Sequence, residues 1–135
     1  MDLKTFRTDN EKEQDGTWVD LGDGVSRLKI ARMNNPRYRE AQQRKLQRYK
    51  MAARSKVVPD DVWEGILNEL IAETILVDWE GITMDCEPYP YSVDHAKQAL
   101  TDLKDFREMV IGFADDIANF KAELDEAIEK NSVRP

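Results

Sequence analysis

The chain has 135 residues, enough for one domain and too short for two ordinary ones. Charged residues make up 35% and hydrophobic residues 41%, a balance that favours amphipathic helices and excludes a membrane-spanning segment. Cys86 and His95 are the sole residues of their types, which excludes an internal disulfide and cysteine-based or histidine-rich metal sites. The polar N-terminus does not resemble a secretory signal, and a reducing, cytoplasmic setting is expected.

The net charge of -7 is distributed very unevenly along the chain. Residues 1–26 sum to -4, residues 27–56 to +10 and residues 57–135 to -13. The basic block has four open interpretations: binding of nucleic acid, binding of an acidic protein, pairing with the acidic half of this or a neighbouring copy, and a solvated helix face. Because the acidic remainder repels a polyanion at long range, nucleic acid is the least favoured partner.

The N-terminal third predicts a polar arm followed by a hairpin. Residues 1–16 are polar and predict an extended or frayed arm. Two alternating runs flank Gly22-Asp23-Gly24, which predicts a β-hairpin over residues 17–32. An isolated hairpin is only marginally stable, so this one is expected to pack on helices.

The rest of the chain predicts helices. Asn35-Pro36 is a good helix start, since asparagine caps and proline suits the first helical position. Two prolines within residues 82–91 predict an ordered loop. The helices are predicted over about 36–55, 60–80, 93–103 and 104–130, with a flexible tail at 131–135. The fold class is therefore mainly α, with an N-terminal β-hairpin packed on a small bundle of about four helices, as a single domain of residues 17–130.

The sequence predicts no catalytic, metal or cofactor-binding site. Glu69 and Glu73 lie one helical turn apart, but no histidine follows either glutamate at the spacing typical of carboxylate di-metal sites. Asp94 and His95 are adjacent and so diverge on a helix. Acidic neighbours disfavour a reactive thiolate at Cys86. The chain is expected not to be an enzyme.

Three segments together resemble the tail assembly chaperones of long-tailed bacteriophages, of the type with a frameshifted longer form. They are Gly16–Leu21 with Lys29–Pro36, Ile75–Ile82 with Pro90-Tyr91-Ser92, and Ala99–Val110 continuing to Phe120. Related sequences often read Asp-Pro-x-Phe-Arg where residues 102–107 of this chain contain no proline, so a less sharp break between the last two helices is expected here.

The resemblance implies a non-enzymatic factor in the host cytoplasm, absent from the mature virion, that binds the tape measure protein and recruits tail tube subunits. The basic helix and the Tyr89–Tyr91 loop are expected to face partners, and helices 60–80 and 104–130 to form the scaffold. A homo-oligomer through opposed basic and acidic faces is also expected, and reversing Arg44, Lys45 and Arg48 to glutamate should weaken it without unfolding the chain. The alternative function is a small nucleic-acid-binding regulator that uses helix 36–55. The predicted partner-binding residues are Arg37, Tyr38, Arg44, Lys45, Arg48, Tyr49, Tyr89 and Tyr91.

Overall fold

The computed structural model describes residues 1–122, which are mainly helical, as predicted. The α-helices are α1 (Asn10–Asp15), α2 (Pro36–Ala53), α3 (Asp60–Thr74), α4 (Val93–Asp102) and α5 (Lys104–Asp115). The strands are β1 (Thr17–Asp20), β2 (Arg27–Ile30), β3 (Leu76–Glu80), β4 (Thr83–Met84) and β5 (Glu87–Pro88). Two 3-10 turns cover Leu3–Phe6 and Ile117–Phe120. The packing of a hairpin on a four-helix bundle and the single domain of residues 17–130 stay predictions.

The predicted hairpin is present as antiparallel strands β1 and β2. Its turn is closed by Asp23, whose carboxylate accepts hydrogen bonds from the backbone N–H groups of Val25 and Ser26 and from the Ser26 hydroxyl. The Ser26 hydroxyl, followed by these backbone donors, lowers the pKa of Asp23 to about 2. Gly22 and Gly24 supply the positive φ angles on either side.

The prediction of one helix over 60–80 is wrong in its last third. Helix α3 ends at Thr74, and residues 76–80 form β3, which pairs antiparallel with β2 in a sheet of order β1-β2-β3. Ala31 directly follows β2, and its N–H donates to the carbonyl of Ile75 at 2.8 Å. The pairing of this part of the chain therefore begins at the residue that follows α3. Long-range pairing with β2 overrides the helical spacing of the apolar residues, and the β-branched Val77 suits a strand.

The long helix predicted over 104–130 is also wrong, because α5 ends at Asp115. Asp116 has an extended backbone, and its side chain accepts a hydrogen bond from the Ala118 N–H to start the second 3-10 turn. The Asn119 side chain donates to the Phe113 carbonyl, which satisfies one of the last carbonyls of α5. Phe120 is fully buried by this reversal. The predicted helix beyond residue 122 and the tail at 131–135 lie outside the described residues.

The prediction of an extended arm over 1–16 is wrong as well. Asp9 caps α1, because its side chain accepts hydrogen bonds from the N–H groups of Glu11 and Lys12. Glu11 and Glu13 lie in the first turn, where the helix dipole stabilises negative charge. The Asp9 N–H donates to the Phe120 carbonyl at 2.8 Å, which ties this segment to the second 3-10 turn.

Two smaller features differ from the predicted loop and helix break. The loop predicted over 82–91 contains the short β4–β5 hairpin. Helices α4 and α5 are separated by Leu103 alone, whose φ of -119° and ψ of 89° interrupt the helix without a proline. Behind these elements the core joins β2, α3, β3, α4 and α5; its largest fully buried side chains include Leu28, Ile30, Leu70, Ile71, Ile75, Leu76, Leu100 and Val110.

Candidate functional site: the basic helix

Helix α2 is set at its N-terminus by Asn35. The Asn35 side chain accepts a hydrogen bond from the Tyr38 N–H at 3.0 Å and donates to the Arg32 carbonyl at 2.9 Å. Pro36 occupies the first helical position, where its missing N–H costs nothing. The helix ends at Ala53, and the next residue, Arg54, adopts the left-handed conformation with φ of 51°. The observed span is close to the predicted 36–55.

The inner stripe of α2 faces α3 and the core. Tyr38 is 6% exposed, and Ala41 is buried beside it. Burial, with a smaller contribution from the charge of Asp115, raises the pKa of the Tyr38 phenol. Leu46 and Tyr49 are half-buried further along the helix. Tyr38 therefore offers little surface to a partner, although it was predicted as a partner-binding residue.

Lys45 joins α2 to the rest of the bundle. Its Nζ lies 3.0 Å from Glu69 Oε2 and 3.1 Å from Glu73 Oε1, and Lys97 Nζ lies 2.9 Å from Glu69 Oε1. Burial lowers the pKa of Lys45, but the hydrogen bonds with Glu69 and Glu73 outweigh it and raise that pKa above its usual value. The hydrogen bond from Lys97, opposed by burial and supported by Lys45, lowers the pKa of Glu69.

This ion-pair network changes what the sequence suggested about Lys45 and about the pair Glu69 and Glu73. Reversing Lys45 would place a third carboxylate beside Glu69 and Glu73, so the triple reversal of Arg44, Lys45 and Arg48 would not leave the fold untouched. These ion pairs also hold α2 against α3, in addition to the contacts of its buried Tyr38 and Ala41. The carboxylates of Glu69 and Glu73 are occupied by lysines, and residues 1–122 contain no cluster of three potential metal ligands.

Three of the predicted residues form one exposed face, here called the arginine face: Arg37, Arg44 and Arg48. They are seven and four residues apart, so their side chains lie on the same side of α2. Arg37 pairs with Asp15 at 3.1 Å and Arg44 with Glu40 at 3.6 Å, in contacts open to solvent. Within residues 1–122, the guanidinium of Arg48 has no hydrogen-bond or ion-pair partner. The structure thus brings together the arginines but directs Tyr38 and Lys45 inward.

The other flank of α2 carries a groove that the sequence analysis missed. It has a volume of about 560 Å³ and is lined by Gln43, Leu46, Gln47, Lys50, Met51, Arg54, Ser55 and Lys56. The lining contains three cations and no carboxylate, and Met51 is 72% exposed. The signal in the sequence was the repeat of polar and basic residues at positions 43, 47, 50 and 54, which follows the helical period.

Tyr89 and Tyr91 belong to a different part of the structure. The Trp79 ring stacks on Tyr89 at 5.8 Å and meets Tyr91 edge-on at 5.2 Å. The Tyr91 hydroxyl donates to the Leu76 carbonyl, and the Trp79 indole N–H donates to the Tyr89 carbonyl, each at 2.8 Å. His95 stacks on Tyr89 at 4.1 Å. These rings contact β3 and α4, so the structure does not join them to the arginine face.

Within the described part of the chain, no helix is long and apolar enough to span a membrane. Residues 1–122 thus form a mainly helical, charge-segregated body whose main accessible feature is a basic helix with two exposed flanks. The family model of the YdaY prophage protein matches residues 33–131, more than two thirds of the chain and all of α2 to α5. The chain therefore belongs to the YdaY prophage protein family and is phage-derived, which confirms the phage origin that the resemblance implied. No curated protein and no solved structure matches it.

Proposed function

We propose that this prophage protein is a non-enzymatic tail assembly chaperone that binds the tape measure protein through the arginine face and recruits tail tube subunits. The proposal places it in the host cytoplasm and outside the mature virion. Membership of a prophage family and the resemblance of the three sequence segments support this role.

The observation that carries the proposal is the arginine face. Helix α2 is anchored from inside by Tyr38, Ala41 and Lys45, so its arginines are not needed to hold the fold. The side chains of Arg37 and Arg44 are each 60% exposed, and their ion pairs with Asp15 and Glu40 are solvent-screened contacts of little stability. A partner carboxylate can therefore replace either acid at small cost.

Arginine is well suited to such a surface. Its guanidinium stays charged at any physiological pH and pairs with carboxylates through two parallel hydrogen bonds. A row of such groups steers an acidic helical partner to α2 and fixes its register, while the charge keeps the complex in solution. Binding carried by exposed charges weakens as the salt concentration rises.

The test is a pull-down of the tape measure protein from the same prophage, with nuclease present. The full-length chain carrying Arg44→Glu and Arg48→Glu is compared with the wild type and with Lys50→Glu plus Arg54→Glu, which makes the same charge change on the other flank. The proposal predicts that the arginine-face variant binds at least about tenfold more weakly, whereas the matched variant retains binding. Equal binding by all three proteins would contradict the proposal.

A second candidate function is nucleic-acid binding, and one specific observation favours it. Within residues 1–122, Arg39, Arg48, Lys50, Arg54 and Lys56 have no carboxylate partner, and such cations can neutralise phosphates. This function predicts that nuclease treatment abolishes the pull-down. It also predicts that DNA or RNA binds the purified chain with a steep dependence on salt.

A further inference from the structure

The groove on the second flank of α2 has a definite chemical preference. Lys50, Arg54 and Lys56 line it, and within residues 1–122 none of these three cations has an acidic partner. Leu46 and Met51 contribute its apolar surface. A matching ligand therefore carries several carboxylates together with apolar side chains spaced to reach into the groove.

The chain itself contains such a segment. Residues 123–129 read Glu-Leu-Asp-Glu-Ala-Ile-Glu, with four acids and no base. Leu124 and Ile128 are four residues apart, the spacing at which two side chains share one face of a helix. The other concentrated acids of the chain, such as those on α4 and α5, sit on helices whose apolar faces are already buried in the core. Among the large hydrophobic residues of α4 and α5, only Val93 is exposed, and a single side chain does not give the spaced apolar pair that the groove requires.

The position of Ala122 favours a neighbouring molecule over the same one. The Ala122 N–H donates to the Arg7 carbonyl, and Asp15 at the end of α1 pairs with Arg37 at the start of α2. The groove is lined by residues between Gln43 and Lys56, and its exposed apolar residue Met51 lies about 20 Å beyond Arg37 along α2 at 1.5 Å per residue. In the helical form in which Leu124 and Ile128 would share one face, six residues advance only about 9 Å, which is less than the distance along α2 to the groove of the same molecule.

We propose that the groove beside Lys50 and Arg54 is the docking site for residues 123–129 of a second copy of this chain. The copies then associate head to tail, because the site and its ligand lie on different parts of each molecule. This inference does not depend on the proposed chaperone function, since it uses the other flank of α2.

The test is a charge swap in the full-length chain, followed by sedimentation velocity over a wide range of concentration. One variant carries Lys50→Glu and Arg54→Glu, and the other carries Glu126→Lys and Glu129→Lys. The wild type should self-associate as its concentration rises and dissociate at high salt. Each variant alone should self-associate at least about tenfold more weakly than the wild type, because like charges now meet at the site. A mixture of the two should associate again, since each then offers the complement of the other.

The matched control is Arg44→Glu with Arg48→Glu, which makes the same charge change on the arginine face. Because the groove replaces the arginine face as the proposed site of self-association, this variant should self-associate like the wild type, contrary to the expectation from the sequence. Circular dichroism of each variant checks that its helices are retained. Restoration in the mixture cannot come from a misfolded variant, so it separates docking from loss of structure. A monomeric wild type, variants that self-associate like the wild type, or a mixture that stays dissociated would each overturn the proposal. Loss of self-association with intact tape measure binding would leave the chaperone proposal standing.

Discussion

Replacing Arg107 by methionine removes the one guanidinium that is buried in the helical body of residues 1–122. Arg107 lies on α5, its side chain is 9% exposed, and its Nη1 lies 2.7 Å from Glu64 Oε1 on α3. The same nitrogen donates to Asn68 Oδ1 at 3.2 Å, and Asn68 is 4% exposed. Methionine keeps most of the apolar stem and loses the charge and the donors.

The two acceptors respond differently to this change. The side chain of Glu64 is 57% exposed, so its carboxylate returns to water and the lost ion pair costs at most about 1 kcal/mol. The Oδ1 atom of Asn68 is buried and loses a charged donor, which costs about 1–3 kcal/mol. We therefore expect Arg107→Met to lower the free energy of unfolding by about 2 kcal/mol, mostly through Asn68.

Urea unfolding followed by tryptophan fluorescence measures this loss. Glu64→Gln should cost less than about 1 kcal/mol, and Arg107→Met combined with Asn68→Leu should recover most of the loss, because both partners are then apolar. Lys104→Met, at an exposed position on the same helix, is the control for losing a cation. The reasoning is refuted if Glu64→Gln costs as much as Arg107→Met, or if the double variant is no more stable than Arg107→Met.

Two further predictions concern pH and backbone geometry. The hydrogen bond from Lys97 lowers the pKa of Glu69 in the folded state below the ordinary glutamate pKa of 4.5. The ionised Glu69 side chain therefore stabilises the fold fully at pH values above 4.5, and this stabilisation is lost as the pH falls below 4.5 and through the lowered pKa. Urea melts across this range should show the loss, and Glu69→Gln should make it shallower; an unchanged pH profile in that variant would contradict the assignment. Gly81→Ala should destabilise the chain by about 1–3 kcal/mol, since a Cβ there would lie 2.4 Å from the Val25 carbonyl oxygen at φ of +70°. Gly65→Ala, in open space within α3, should stabilise it by about 0.5–1 kcal/mol, and thermal melts that move in the same direction for both would refute the geometry.

The elements that local chemistry specifies were predictable from the sequence. Asn35-Pro36 sets the start of α2, and the Gly22-Asp23-Gly24 turn sets the β1–β2 hairpin. The errors arose where distant parts of the chain decide the outcome. The apolar spacing of residues 76–80 fits a helix equally well, and pairing with β2 makes them a strand. The end of α5 depends on the hydrogen bonds of the Asp116 and Asn119 side chains, which form where the chain turns back to bury Phe120.

The candidate site was predictable in part for the same reason. Helical spacing was enough to place the arginines of α2 on its surface. The inward direction of Lys45 depends on Glu69 and Glu73, more than twenty residues away, and no local pattern marks it. The helical repeat at positions 43, 47, 50 and 54 marks one wall of the groove in the sequence. The end of the groove depends on the left-handed conformation of Arg54, which the sequence does not signal because glycine is the usual residue there.

The most direct test of the central claim is the amount of tape measure protein that stays soluble when it is co-expressed with this chain. Lysates are treated with nuclease and fractionated at low and high salt. The account predicts a soluble complex of the two proteins that resists nuclease, weakens at high salt, and is lost with Arg44→Glu plus Arg48→Glu. An equally insoluble tape measure protein with and without the chain, and nucleic acid bound to the chain in the untreated lysate, would contradict it.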